Sequence, residues 1–187
     1  MATVDELMTK TKDRMDKAIN ALRGELTAIR TGRATPSLLD RIKVDYYGTP
    51  TPINQVANIS VPEPRMMLIS PWEKSMIKPI EKAIQTSDLG INPNSDGSAI
   101  RLNLPQPTEE RRKELVKMVN KKGEATRIEV RNIRRDINEA LKKELKARTI
   151  TEDANKQALD KAQKLTDQYM KEIDKVLANK EKEVMEI

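Results

Sequence analysis

The chain has no cysteine, no histidine and no phenylalanine, and aromatic residues make up only 2% of its 187 positions. Without cysteine there is no disulfide, and without cysteine or histidine there is no zinc finger. Thiol nucleophiles and imidazole acid–base pairs are excluded with them. The missing disulfides suit a reducing compartment. With few rings, a core must come from Leu, Ile, Val, Met and Ala, which favour helix-on-helix packing. No apolar run approaches the roughly 20 residues that cross a bilayer as a helix. Glycine is sparse too, at positions 24, 32, 48, 90, 97 and 123. No two have the G-x-G spacing and none begins a G-x-x-x-x-G-K run, so dinucleotide and P-loop signatures are lacking. G-x-S-x-G is also missing. Carboxylates are plentiful, but they lie among lysines on helical patterns. Glu109-Glu110 fits stabilisation of a helix start better than acid–base work. The expectation is a protein that is not an enzyme, with no catalytic residues, no cofactor and no metal. The start, Met1 to Glu6, is acidic and passes directly into helical patterning, unlike a signal or transit peptide. A cytoplasmic chain without membrane association is therefore expected.

What is present is charge, 34% of the residues, with a net of +6. Its distribution is uneven. Residues 1–30 and 31–107 each carry a net of +1, and residues 151–187 carry −2. Residues 108–150 hold fourteen basic and eight acidic side chains, a net of +6. A local excess on one element is the electrostatic footprint expected for a polyanion partner. A solvated helix face of mixed charge is the plainer alternative, and the commoner one for basic helices.

Residues 3–30 read as a helix. Thr3 and Glu6 have the capping-box spacing, and Met15, Ile19, Leu22, Leu26 and Ile29 form one apolar stripe. Gly24 interrupts it at a cost of roughly 1 kcal/mol, and Gly32 is placed to end it. Residues 33–107 are proline-rich. Candidate strands run from Ile42 to Tyr47, Ile53 to Val61, Met66 to Ser70 and Ala99 to Leu104, the last with clear alternation. Ile77, Ile80 and Ile84 share a helix face that ends near Leu89-Gly90, and 92–97 is turn chemistry. Residues 108–148 form a long helix, capped by Thr108, with the seam Val130, Ile133, Ile137, Leu141 and Leu145. A third helix, 151–185, is capped by Thr151. Its seam steps through Ala158, Ala162, Leu165, Tyr169, Ile173 and Val176 to Lys180. Seams of nearly 3.5-residue period call for a left-handed bundle.

One helix precedes the β-rich module and two follow it. The simplest α+β solution is a three-helix bundle with a small β/α/β domain inserted after the first helix. The bundle then comprises 1–31 and 107–187, and the insert 32–106. The chain crosses between them at Thr31, Gly32 and Arg33 and at Leu104, Pro105, Gln106 and Pro107. Two short crossings make a hinge; a single rigid unit is the alternative.

The long helix carries Arg127, Arg131, Arg134 and Arg135. The first three share a stripe beside the apolar seam. A guanidinium fork matches phosphate bidentately, which suits a sugar–phosphate backbone. Intrahelical pairing with Glu124, Glu129, Asp136 or Glu139 competes, but exposed pairs contribute only ~0.3–0.5 kcal/mol. The rings available are Tyr46, Tyr47, Trp72 and Tyr169. Tyr169 lies on a seam and Tyr46-Tyr47 reads as packing within the small module, so base stacking is disfavoured. Backbone and shape recognition of structured RNA, or nonspecific duplex binding, remains. An ordinary coiled-coil interaction protein with a solvated basic face is the rival reading.

Several runs resemble the ribosome recycling factors: Arg30-Thr31-Gly32-Arg33-Ala34, Pro36 to Asp40, Tyr46-Tyr47-Gly48-Thr49-Pro50-Thr51-Pro52, Lys82 to Ile84, Ser87 to Gly90, Asn92 to Ser95, Pro107 to Lys113 and Val130 to Asp136. The resemblance covers essentially the whole chain; 121–126 and the last two helical turns match loosely. It implies an L-shaped three-helix bundle with an inserted β/α/β domain, the bundle being the rRNA-binding domain. It implies a partner in the post-termination 70S ribosome, with the bundle against large-subunit rRNA. Elongation factor G with GTP then drives the insert and splits the ribosome, and initiation factor 3 prevents rejoining. The family's RNA-facing arginines match Arg30, Arg33, Arg112, Arg131 and Arg134; Arg127 and Arg135 are added from spacing alone. A monomer is expected. A hibernation or stalling factor would share the binding chemistry and differ in outcome.

Overall fold

The computed structural model describes residues 3–186. It divides into two compact units, one running to Arg30 and resuming over Glu109–Glu186, the other Thr31–Thr108.

The first unit is three long helices: α1 (Val4–Ala28), α3 (Glu109–Lys146) and α4 (Glu152–Met185), while the short α2 (Ile77–Gln85) belongs to the other unit. Thr3 and Glu6 form a reciprocal capping box at the start of α1. The helix runs unbroken through Gly24. It stops at Ala28, where Ile29 turns extended, so Gly32 is not its stop signal. Gly32 instead takes φ +81 three residues later, in the outgoing segment. Between α3 and α4 the left-handed residue is Arg148, at φ +55, and Thr151 caps α4 by accepting from the Ala154 amide.

The bundle core takes Met15, Ile19, Leu22 and Leu26 from α1, Val130 and Ile133 from α3, and Tyr169 and Ile173 from α4. A second cluster at the α3–α4 turn joins Ile137, Leu141, Ala158 and Ala162, with Val4, Leu7 and Met8 against it. The expected α4 seam is partly out of phase. Thr166 and Leu177 are buried, whereas Leu165 and Val176 are half-buried on its flank. Leu145 of α3 is likewise only half-buried. The reason for Leu177 is Gly123: a Cβ there would lie 2.3 Å from Leu177 Cδ1, so the missing side chain admits the leucine. Thr166 is tolerated inside because its hydroxyl donates to its own helix at Ala162, 2.8 Å. Thr11 and Thr126 do the same to Leu7 and Lys122. Lys180 stays on the seam beyond the apolar run; its stem is buried and its ammonium lies 3.4 Å from Glu183.

The second unit has its own core. Its strands are β1 (Lys43–Tyr46), β2 (Thr49–Pro52), β3 (Ala57–Glu63), β4 (Met66–Pro71), β5 (Asn94–Ser95) and β6 (Ile100–Asn103). β1 and β2 form a separate hairpin, and the other four are ordered β3-β4-β6-β5, all antiparallel. Its helix α2 (Ile77–Gln85) packs Ile77, Ile80 and Ile84 into a core with Met67, Ile69, Ile100 and Leu102.

Several expectations change here. β2 is a strand despite Pro50 and Pro52, because its hairpin is two-stranded and leaves an edge where proline lacks no needed partner. Its turn, Tyr47-Gly48, has both residues at positive φ, +49 and +85, which matches the strand twist. Ile53–Gln55 is a 3₁₀ turn, so the strand after it begins at Ala57. α2 ends at Gln85, before Leu89-Gly90. Asn94–Ser95, expected as turn, pairs with β6. The next turn is held by Asp96, whose Oδ1 accepts from the amides of Ser98 and Ala99; those bonds lower its carboxyl to a pKa of about 2. Leu104 is not part of a loose crossing. It is buried in the core, and its amide donates to Arg65 at 2.8 Å, while Ala34 donates to Pro64 at 2.7 Å.

Candidate nucleic-acid interface

α3 is amphipathic because its buried positions, among them Thr126, Val130, Ile133 and Ile137, recur at steps of four, three and four. Arg127, Arg131, Arg134 and Arg135 flank that seam. Glu109 and Glu110 occupy the first turn and Lys143 and Lys146 the last, each favourable to the helix dipole.

The four arginines do not share one environment. Arg127 reaches α4, donating to Asp174 at 2.6 Å, and also to Glu124 at 3.3 Å. Its side chain is 27% exposed. The hydrogen bond to Asp174, ahead of the one to Glu124, pushes its pKa further up. Arg131 is 51% exposed and meets the same Glu124 at a longer 3.4 Å. Arg134, half-buried, donates to the amide oxygen of Gln163 on α4, 3.0 Å. Arg135 is exposed and makes no ion pair among the described residues. The competing carboxylates also sort differently from expectation. Asp136 pairs with Arg14 of α1 at 3.0 Å, and neither Glu129 nor Glu139 holds an arginine of the cluster among the described residues.

Of the other expected site residues, Arg112 lies half-buried in the early turns of α3, and Arg30 is exposed just after α1. Arg33 is exposed within the second unit. In the same unit Tyr46 packs against the core, but Tyr47 does not; it is 77% exposed. Both hydroxyls donate to Glu73, at 2.9 and 2.8 Å, and hold its carboxyl below the usual range, Tyr47 most strongly. Tyr169 is a core residue, its hydroxyl donating to Asp16. Burial foremost, then that bond, raises its pKa.

Among the described residues no cluster of potential metal ligands occurs, and no helix is long and apolar enough to cross a membrane. The arrangement offers cationic donors on a packed helix, with Arg131 and Arg135 exposed and Arg134 half-buried. The sequence model described as "Ribosome recycling factor" matches residues 22–185. The chain belongs to the ribosome recycling factor family.

Relatives agree over nearly the full length. A ribosome-recycling factor of Syntrophomonas wolfei is 56% identical, covering 98% of this chain and 100% of that one. That of Brevibacillus brevis is 56% identical over 94% and 95%. A solution structure of a ribosome recycling factor covers both chains fully at 40% identity and TM-score 0.70. A second structure is described as models for the T. thermophilus ribosome recycling factor and the E. coli elongation factor G bound to the E. coli post-termination complex. It is 42% identical, covers 98% and 99%, and has a TM-score of 0.61.

For this member of the ribosome recycling factor family, sequence reasoning missed the α4 partners Gln163, Asp167 and Asp174. Gln163 and Asp167 are four apart and so share a helix face. Nothing in that spacing says that α3 arginines would meet that face, because the meeting depends on the register between helices.

Proposed function

We propose that this chain binds the post-termination 70S ribosome and, with elongation factor G and GTP, promotes its dissociation into subunits for a new round of translation. The bundle is the anchor on large-subunit rRNA, and the inserted unit is the part that the elongation factor drives. Work comes from the partner's nucleotide; the chain itself is not an enzyme and needs no cofactor. It acts in the cytoplasm as a monomer, with initiation factor 3 keeping the subunits apart afterwards.

One observation carries the anchor: Arg131, Arg134 and Arg135 are held on a packed helix with little carboxylate opposing them. Among the described residues only Arg131 has one within 4 Å, the Glu124 it shares with Arg127. Arg112, Arg30 and Arg33 are proposed as further rRNA contacts on the family resemblance alone. Arg127 belongs to a different class, because two carboxylates already neutralise it, and it serves to tie α3 to α4. The hinge is proposed at Thr31, Gly32 and Arg33 and at Pro105, Gln106 and Pro107. Leu104 is left out because it is fastened into the core of its own unit.

The test is subunit splitting of post-termination ribosomes with elongation factor G and GTP, followed by light scattering with and without the chain. Splitting should depend on the chain. Arg134→Ala should lower ribosome affinity about 10- to 100-fold, the range for one charge-assisted hydrogen bond. Splitting no faster than with the elongation factor and GTP alone would refute the proposal.

A further inference from the structure

Arg127 and Arg134 both reach from α3 to α4, yet they meet different chemistry. Arg127 ends on the carboxylate of Asp174. Arg134 ends on a neutral amide, that of Gln163, at 3.0 Å. The amide is itself held: Gln163 Nε2 donates to Asp167 Oδ1 at 2.9 Å. This orientation is chemically determined. A guanidinium can only donate and an ionised carboxylate can only accept, so the amide oxygen must face Arg134 and its nitrogen must face Asp167. Flipping the amide would break both bonds at once.

Resting on the anchor reading above, we infer that Gln163 is a positioning residue for Arg134, locked by Asp167. It uses one donor of the guanidinium to fix its direction while leaving its charge intact. A guanidinium has five N–H groups, so the rest of the fork stays available to a phosphate. A carboxylate at position 163 could still accept from Arg134, but it has no N–H to give Asp167, so it would lose that lock and set a negative charge against the one that the phosphate needs. An apolar residue would leave the charge and lose the direction, so that the rotamer freedom of a long side chain must be lost on binding. Gln163 is exposed, so its substitution should leave bundle stability nearly unchanged.

These two consequences separate in a salt titration. Affinity falls with salt by a log–log slope of about 0.7 to 0.9 per phosphate neutralised. Wild type, Arg134→Ala, Gln163→Ala and Gln163→Glu are bound to purified vacant 70S ribosomes across a monovalent-salt series, with thermal unfolding of each as a check on folding. Gln163→Glu should weaken binding further than Gln163→Ala and reduce the slope, by at most one phosphate's worth. Gln163→Ala should weaken binding about 2- to 10-fold with the slope unchanged. A merely structural residue would not divide affinity from slope in this way. If Gln163→Ala binds as wild type does, or Gln163→Glu keeps the full slope, while Arg134→Ala loses affinity, the inference fails and the anchor stands. If Arg134→Ala itself binds as wild type does, the anchor at this position fails and the inference fails with it.

Discussion

Two arginines on one helix show how little residue type alone decides. Arg127 has Asp174 at 2.6 Å and Glu124 at 3.3 Å, whereas Arg134 meets the amide of Gln163 and no carboxylate among the described residues. On the proposed function, the first is an interhelix tie and the second a charge held for phosphate. Arg127→Ala should therefore lower bundle stability by about 0.5 to 1 kcal/mol, discounted because Asp174 is well exposed to solvent. Its effect on ribosome affinity should stay within about twofold. Denaturant unfolding and ribosome sedimentation check the two parts. A large loss of affinity at unchanged stability would return Arg127 to the phosphate-gripping set that its spacing first suggested.

At the scale of elements, the helices are set by period and the packing between them by side-chain volume. Gly24 and Gly123 look alike in sequence, each interrupting a helix. Added Cβ atoms would fare differently: nothing lies within 4 Å at Gly24, whereas Leu177 Cδ1 lies 2.3 Å away at Gly123. Gly24→Ala should stabilise the bundle by about 1 kcal/mol through helix propensity alone. Gly123→Ala gains the same propensity but overpacks a buried contact, at a cost of about 1 to 3 kcal/mol. Its net effect should be a loss of up to about 2 kcal/mol, read from denaturant midpoints. The strands were less legible than the helices. β2 hides behind two prolines and β5 is two residues long, so neither shows the alternation by which a strand is recognised. β6 does show it, and Ile100 and Leu102 are both fully buried.

At the scale of the whole molecule, the two units carry separate cores. A large-to-small change should therefore act on its own unit first. Ile133→Ala should destabilise the bundle, and Ile100→Ala the inserted unit, each by about 2 to 5 kcal/mol. Hydrogen exchange, followed segment by segment, should show the loss of protection confined to the unit bearing the substitution. Equal loss in both units from either change would mean that they unfold as one.

The sequence by itself determined the three helices, the insertion between the first and second, and the arginine stripe, because a 3.6-residue period and a local charge excess are properties of neighbouring residues. It also carried the family, through runs spread along the chain. The tertiary structure alone decided which arginine is neutralised and which is not. Glu124 lies on the same helix, but Gln163 and Asp174 lie on another, and which of them faces Arg134 or Arg127 depends on how far one helix is shifted along the other. That offset is set by packing such as Leu177 against Gly123. No periodicity within a single helix records it.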